Sequence, residues 1–406
     1  MVTAATGFAR TGVSRFADRD LGVMRVRCEV GKPLAQQRQL GHNRWHPDVP
    51  PIATLNPGEE VILETPGYDD YQLRDNDEVR DVEGMDLGRV HPLAGPVAVR
   101  GAEPGDLLVV DLLELAPLSG VGYSCIIPRI GGILRDVFPR AFKSVWYMRG
   151  NVYAESRHVP GVRVPALPHP GVIGVAPSQE LLRQWNQREA PLTREEWHGG
   201  LKAYPPEPST AVLRTLEGAR LQAAAAEAAR TVPARENGGN VDIKNLSSGS
   251  RVYFPVFVPG ALLSVGDLHF AEGDGEATWN AIEMDGVTWL RVNLIKGAAR
   301  KYGIRSPVFQ PGPIEPRFGN RYITFTGFCF RDSEQAFNDA TMATREAMLR
   351  AIDYLTKFGF SGEQAYTILS VAPIEVRVSG IVDVPNTCVT LSLPLDIFDK
   401  DVLPRA

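Results

Sequence analysis

Long apolar runs are missing from this 406-residue chain, and none approaches the roughly 20 residues needed to span a bilayer. The opening stretch MVTAATGFARTGVSRFADRD carries charges throughout and no apolar core, so it does not read as a signal peptide. Cysteine is scarce. The four present (Cys28, Cys125, Cys329, Cys388) are scattered without any CxxC spacing, which excludes a zinc ribbon or disulfide scaffold and predicts free thiols in a reducing, cytoplasmic setting. Excess charge of either sign is also lacking: 43 basic against 48 acidic residues give a net charge of -5. With no Lys/Arg cluster interleaved with aromatics, the chain has no nucleic-acid footprint. GxSxG, GxxxxGK[ST] and strand-linked GxGxxG patterns are absent, which removes the serine elbow, the P-loop and the dinucleotide fold as readings. Cys125 and Cys388 have no feature that recommends a thiol nucleophile and read as inert.

What is present is ordinary for a soluble globular protein, with 44% apolar and 22% charged residues. The 39 glycines and 32 prolines are dispersed, without repeat or low-complexity tract, and fit many short strands joined by turns. Strands are expected at 59–65, 95–101, 106–115, 250–258, 261–270, 277–284, 288–295, 375–382 and 388–393. Helices are expected at 210–230, 339–357 and 363–372, the last opened by a capping box of Ser361 and Gln364. The stretch 160–177 reads as irregular connection with one short strand. The fold class is therefore α+β and β-rich: β-sandwich-like modules with an added helical portion. Three segments are expected, a β-rich module over 1–165, a helix and second β-module over 166–330, and a helical pair with final strands over 331–406. No flexible linker marks their boundaries.

Chemistry concentrates in GDLHFAEGDGE (Gly266 to Glu276) and in RENGGNVDIKN, some thirty residues before it. In an extended strand, Asp267 and His269 share a face because side chains alternate. A turn at Gly273–Gly275 would fold Glu276 back beside them. Asp242 arrives from the second segment, where Gly238 and Gly239 permit close backbone approach. Carboxylates with an imidazole suit a divalent metal or an acid/base site. Asp242 and Asp274 equally suit a second reading, as acceptors for turn amides. The loop GHNRWHPDVPP places His42 and His46 four residues apart, but its prolines argue for a rigid polar loop over a helix. His91, His158, His169 and His198 receive no role.

GHNRWHPDVPPI, HPLAGPVAVRGAEPGDLLVVDLLEL, HPGVIGVAPS, ARENGGNVDIKNL and GSRVYFPVFVPGALLSVGDLHFAEGDGE resemble the acetamidase/formamidase family in its longer, formamidase-like form. The likeness runs in order over residues 40–395. It implies hydrolysis of the C–N bond of a short aliphatic amide, formamide giving formate and ammonia, by a β-sandwich-like homo-oligomer (a trimer or a multiple of one). The family's shorter members share GGN-x-D and GD-x-H-x-x-x-GDGE. These elements fall on Gly238, Gly239, Asn240 and Asp242, and on Gly266, Asp267, His269, Gly273, Asp274, Gly275 and Glu276. The HNRWH loop belongs to the longer form, which suggests a part for His42 and His46 in substrate choice or assembly. Segment 66–81 (GYDDYQLRDNDEVR at its centre) and the region after Gly120 depart from the usual formamidase pattern.

The expected mechanism is metal-assisted. Asp242, Asp267 and His269 would hold a divalent ion, zinc being the candidate. Glu276 would move the proton, with Glu283 in reserve. Asn240, or the amides of Gly238 and Gly239, would bind the substrate oxygen. The rival readings are a hydrolase of acetamide or another small amide, and a non-catalytic module that binds small amides or metals.

Overall fold

The structure is a computed structural model that describes residues 22–128, 132–192, 208–313 and 321–404; the N-terminal segment considered above and His198 lie outside these. Two large sheets face each other. The smaller has six strands in the order Met24–Val26, Glu60–Thr65, Gly286–Ile295, Leu107–Pro117, Arg251–Pro255 and Val308–Gln310. Gly286–Ile295 buries Leu290 and Val292 and exposes Arg291 and Asn293, as the pleat requires of a half-buried strand, whereas residues 61–65 and 107–110 are buried on both faces. On the other face Glu60 accepts hydrogen bonds from Trp289 and Arg291, and Asp111 from Arg251.

The larger sheet has twelve strands. It runs from Arg163–Pro165 through Val121–Ile126 and Glu283–Met284 to Leu263–His269, His169–Val175 and Gly238–Asn240. Val97, Ile173, Leu263 and Val265 of this sheet share one apolar core with Val61, Leu63 and Val110 of the other, which makes the pair a sandwich. Both sheets take strands from either side of residue 165. A third, three-stranded sheet (Tyr322–Phe328, Cys388–Pro394, Glu375–Gly380) is backed by helices Ala340–Thr356 and Gly362–Val371. Asp339 caps the first helix, and the Ser361–Gln364 capping box opens the second, as expected. The fold is thus α+β and β-rich. All four cysteines are free thiols, and no helix among the described residues is long and apolar enough to cross a membrane.

The Gly362–Val371 helix fixes the site loop. Its last turn takes the Gly273 amide on the Ser370 carbonyl at 2.8 Å and the Thr278 amide on Ser370 Oγ at 2.9 Å, while the Tyr366 hydroxyl donates to the Ala277 carbonyl.

Three elements differ from expectation. The helix over 210–230 shrinks to Gly218–Glu227, because Arg214 before it and Gly218 at its first position adopt left-handed backbone angles. The strand over 277–284 keeps only Glu283–Met284; Glu276 and Trp279 have φ of 42° and 74° and close a turn through Trp279 N–H to Glu276 C=O. The stretch 160–177, read as irregular connection with one short strand, supplies two: the short Arg163–Pro165 and the seven-residue, fully buried His169–Val175 inside the larger sheet. Its prolines flank that strand or sit in its second position, where the turn signal outweighed the apolar run HPGVIGV.

Candidate active site

The site is built where His169–Val175 pairs antiparallel with Leu263–His269. His169 lies opposite His269, Pro170 opposite Leu268, and Val172 opposite Gly266, so the register is unbroken and only the step at Gly171 and Asp267 goes unpaired. Asp267 takes up that irregularity with φ of 53°. This conformation is costly for a residue with a Cβ and persists only where its surroundings impose it. It brings Asp267 Oδ2 to 3.6 Å from His269 Nε2. The two groups meet, as expected, but not by the plain alternation of a regular strand. Gly171 makes the approach possible: a Cβ there would sit 2.6 Å from Asp267 Oδ2 and 2.7 Å from His269 Nε2. Its carbonyl also accepts the Val241 amide at 2.9 Å, anchoring the segment that carries Asp242.

His269 is held by an imidazole–carboxylate pair that the sequence reading missed. Glu272 Oε2 accepts from His269 Nδ1 at 2.9 Å and from His169 Nε2 at 2.8 Å. With Nδ1–H committed to Glu272, His269 Nε2 is the free position. It faces Asp267 and Glu283 Oε2, the latter at 3.4 Å. Such a carboxylate behind one imidazole nitrogen is how metal-binding histidines are commonly oriented. Cross-strand pairing of His169 with His269 was the only available signal, and it cannot be read from a sequence in which they lie a hundred residues apart.

Three sets of side chains here have ligand atoms close enough to hold one metal ion, and all share His269: His169 with Glu272, Asp242 with Glu276, and Asp267 with Glu283. Their donor sets, imidazole and carboxylate, suit a divalent cation. The fit is reinforced by orphaned atoms, since His269 Nε2, Glu283 Oε2, Glu272 Oε1, Asp242 Oδ1 and Asn240 Oδ1 are buried without a hydrogen-bond partner. Buried polar atoms are nearly always paired, so this concentration of exceptions marks a place for a ligand.

The electrostatics agree. Burial pushes the His269 imidazolium down, but Glu283 and then Asp267 outweigh it and lift its pKa well above the usual value. Desolvation, then Asp242 and Glu272, raises the Glu276 carboxyl strongly. Desolvation and the Glu272 charge do the same to Asp242. At Glu283 burial raises the pKa, His269 opposes it, and Asp267 adds to the rise. Asp267 is driven the other way, because the neighbouring His91 and His269 outweigh its burial. Carboxylates pushed apart in this way are the usual ingredients of acid/base chemistry.

Asn240, Asp267, Glu276 and Glu283 line a small internal cavity of about 10 Å³ together with Tyr68, His91, Trp279 and Asn280. Glu276 and Trp279 also line an outer cavity of about 580 Å³, whose wall includes Asp242 and Arg135. Tyr68 comes from the segment 66–81 that departs from the family pattern, which places that segment against the cavity.

Other expected residues lie elsewhere. Gly238 and Gly239 pair with Gly174 and Ile173 in the sheet and are not in the cavity wall; they deliver Asn240 and Asp242. His42 and His46 do not reach the cavity either. His42 uses Nδ1 on the Arg44 carbonyl and Nε2 on Ser264 Oγ, both at 2.7 Å, and His46 bonds Glu227 at 3.1 Å. Asp274 accepts from Lys244 and from the amide of Val376 in the strand Glu375–Gly380, a structural role across the fold in place of the expected turn-amide one.

A profile described as the Acetamidase/Formamidase family matches residues 27–400. The chain belongs to this family. It is 49% identical over 382 residues to a formamidase of Methylophilus methylotrophus, covering 92% of this chain and 93% of that protein. An acetamidase of Mycolicibacterium smegmatis is 47% identical over 85% of this chain and 88% of its own length. The solved structure of a gamma lactamase from Delftia acidovorans superposes with a TM-score of 0.90 at 45% identity, covering 95% of each chain. The family chain is accordingly an amidase, cleaving C–N bonds other than peptide bonds.

Proposed function

We propose that this amidase hydrolyses a short aliphatic amide, formamide foremost, to the acid and ammonia, with the reaction carried out in the small cavity beside His269. One observation carries the reading: unpaired His269 Nε2, Glu283 Oε2 and Asn240 Oδ1 belong to one cluster at a cavity too small for a bulky acyl group. The expected ligands Asp242, Asp267 and His269 do not fall in one set, so the metal would be held by His269 either with Asp267 and Glu283 or with Asp242 and Glu276. A divalent ion held there, zinc being the candidate, supplies Lewis acidity at the carbonyl and activates water.

The chain's own residues account for the rest. Glu276, its pKa raised, takes a proton from the attacking water and returns it to the departing nitrogen. Glu283 sits within 3.4 Å of His269 as the alternative carrier. The Asn240 side-chain amide donates to the developing oxyanion, a contact of a kind worth about 3 kcal/mol. Glu272 and His169 keep His269 in one orientation. The protein is further read as a homo-oligomer acting in the cytoplasm.

The test is ammonia release from purified protein across formamide, acetamide, larger linear amides and a γ-lactam, before and after chelation, with metal content measured in parallel. Preferred turnover of formamide, lost on chelation and restored by zinc, is expected. Full activity in a metal-free preparation would remove the metal, and absence of ammonia from every amide would leave a binding module.

A further inference from the structure

His91 belongs to the same cavity but has no place in the scheme above. Its ring lies 6.4 Å from that of Tyr68, and both line the cavity. Thr231 Oγ1 accepts the His91 backbone N–H at 2.7 Å and lies 3.2 Å from His91 Nδ1. That hydroxyl is completely buried, and Nδ1 is the one acceptor the structure offers for its proton. Satisfying both groups makes Thr231 the donor and Nδ1 the acceptor, so the neutral ring carries its proton on Nε2. Nε2 makes no hydrogen bond; Asp267 Oδ2 is 3.9 Å away, beyond bonding distance. The N–H therefore faces a space walled by the carboxyl groups of Asp267, Glu276 and Glu283 and by the polar side chains of Tyr68, Asn240 and Asn280.

The loop bearing His91 is braced from behind. Arg44 donates to the Gly88 carbonyl at 2.5 Å and to Thr210 Oγ1 at 2.9 Å, and Arg230 donates to the Leu87 carbonyl. Gly41–His42 pairs with Ala94 and Leu93 just beyond the loop. The HNRWH stretch thus acts on the cavity through His91 without entering it.

We propose that His91 is a further catalytic residue, its Nε2–H donating to the substrate carbonyl oxygen as that oxygen gains charge. This rests on the amidase reading of the cavity. Water adds to the carbonyl carbon while one of its protons passes to Glu276. The π pair moves onto the oxygen that His91 faces. The carbonyl then reforms, the C–N bond breaks, and the nitrogen takes the proton from Glu276, giving acid and ammonia. His91 keeps its proton throughout.

The test compares His91→Leu, His91→Gln and Thr231→Val, reading kcat, KM, bound metal and thermal midpoint. Leucine removes the donor and is expected to lower kcat about a hundredfold or more with metal content unchanged. Glutamine can present an N–H near the Nε2 position and is expected to recover activity to within about tenfold of wild type. Thr231→Val leaves the ring in place but frees Nδ1, so kcat should fall with KM nearly constant, and the ¹⁵N histidine spectrum should show the tautomers mixing. His91→Leu retaining kcat within about threefold overturns the proposal. So does loss of metal in that variant, which would make His91 a ligand, or failure of glutamine to rescue while the protein stays folded. If His91→Leu does not fold, the Thr231→Val spectrum and kcat decide alone. An inactive wild type sinks the amidase reading itself, whereas an active wild type with an equally active leucine variant sinks only the role of His91.

Discussion

Two histidine-bearing regions of this molecule are equally buried and behave as opposites. In the HNRWH loop the polar groups have found partners, Trp45 Nε1 excepted: His42 bonds Arg44 and Ser264, Asn43 bonds Thr210 and Val212, and Arg44 bonds the Asn43 and Gly88 carbonyls. Around His269 the donors and acceptors outnumber their partners, and atoms of His269, Glu283, Glu272 and Asp242 are left over. A satisfied buried network specifies a fold, whereas an unsatisfied one stores affinity for something else. The charges follow suit. Burial depresses the His42 imidazole to about 4, so it stays neutral as a structural group. His269 is equally buried, yet its carboxylates hold it positive unless another cation takes that proton's place.

The sharpest way to break this contrast is to remove the proposed reacting groups. His269→Ala is expected to abolish metal binding and amide turnover together, and Glu276→Gln to lower kcat by about 10³-fold with the fold intact; ammonia release, metal analysis and circular dichroism read these out. A Glu276→Gln enzyme with near-normal kcat would pass the proton role to Glu283. Next in size is Gly171→Ala. Its new Cβ overlaps Asp267 and His269, so activity should fall at least tenfold while stability drops by about 1–3 kcal/mol, as in other overpacked sites; urea unfolding with kinetics on the same samples measures both.

On the satisfied side, His42→Phe should cost about 1–3 kcal/mol, because the Ser264 hydroxyl and the Arg44 carbonyl lose their partner. Turnover per folded molecule should stay within about threefold of wild type. If kcat collapses without loss of stability, the HNRWH loop is functional and the comparison fails.

The smallest effect is in pH. Glu276, Glu283 and Asp242 have folded pKa values above their unfolded ones. Each binds its proton more tightly when folded, so its contribution is fully present below the ordinary value of about 4 and is lost as pH rises through the raised value. Asp267 and Glu272 run the opposite way, losing their contribution as pH falls. Chelated protein should therefore show a thermal midpoint that falls as pH rises above the ordinary carboxyl range, and added divalent ion should restore it most at the alkaline end. A midpoint that is flat with pH in chelated protein would mean that the carboxylates are already neutralised from within.

Local signals were legible where one element decides its own conformation. The Ala340–Thr356 and Gly362–Val371 helices carry their caps within four residues, and Leu107–Pro117 and Gly286–Ile295 carry β-branched and leucine-rich runs. Asp242, Asp267, His269 and Glu276 were suspect because ionisable groups beside glycines are expensive to bury. His169, Glu272 and His91 were not legible: His169 precedes a proline, Glu272 lies among other acids, and His91 looks like a loop residue. Each gains its meaning from a partner a hundred or more residues away, or from a cavity that several segments enclose.

By itself, then, the sequence determined a β-rich framework and one acidic, histidine-bearing segment, because period, capping and turn chemistry act over a few residues, while its family resemblance carried the amidase reading. Tertiary structure alone decided which atoms remain unpaired. It did so by interrupting the pairing at Gly171 and Asp267, setting His169 against His269 and folding the HNRWH loop away from the cavity. Register and satisfaction are properties of pairs of distant segments, and only packing brings those pairs together.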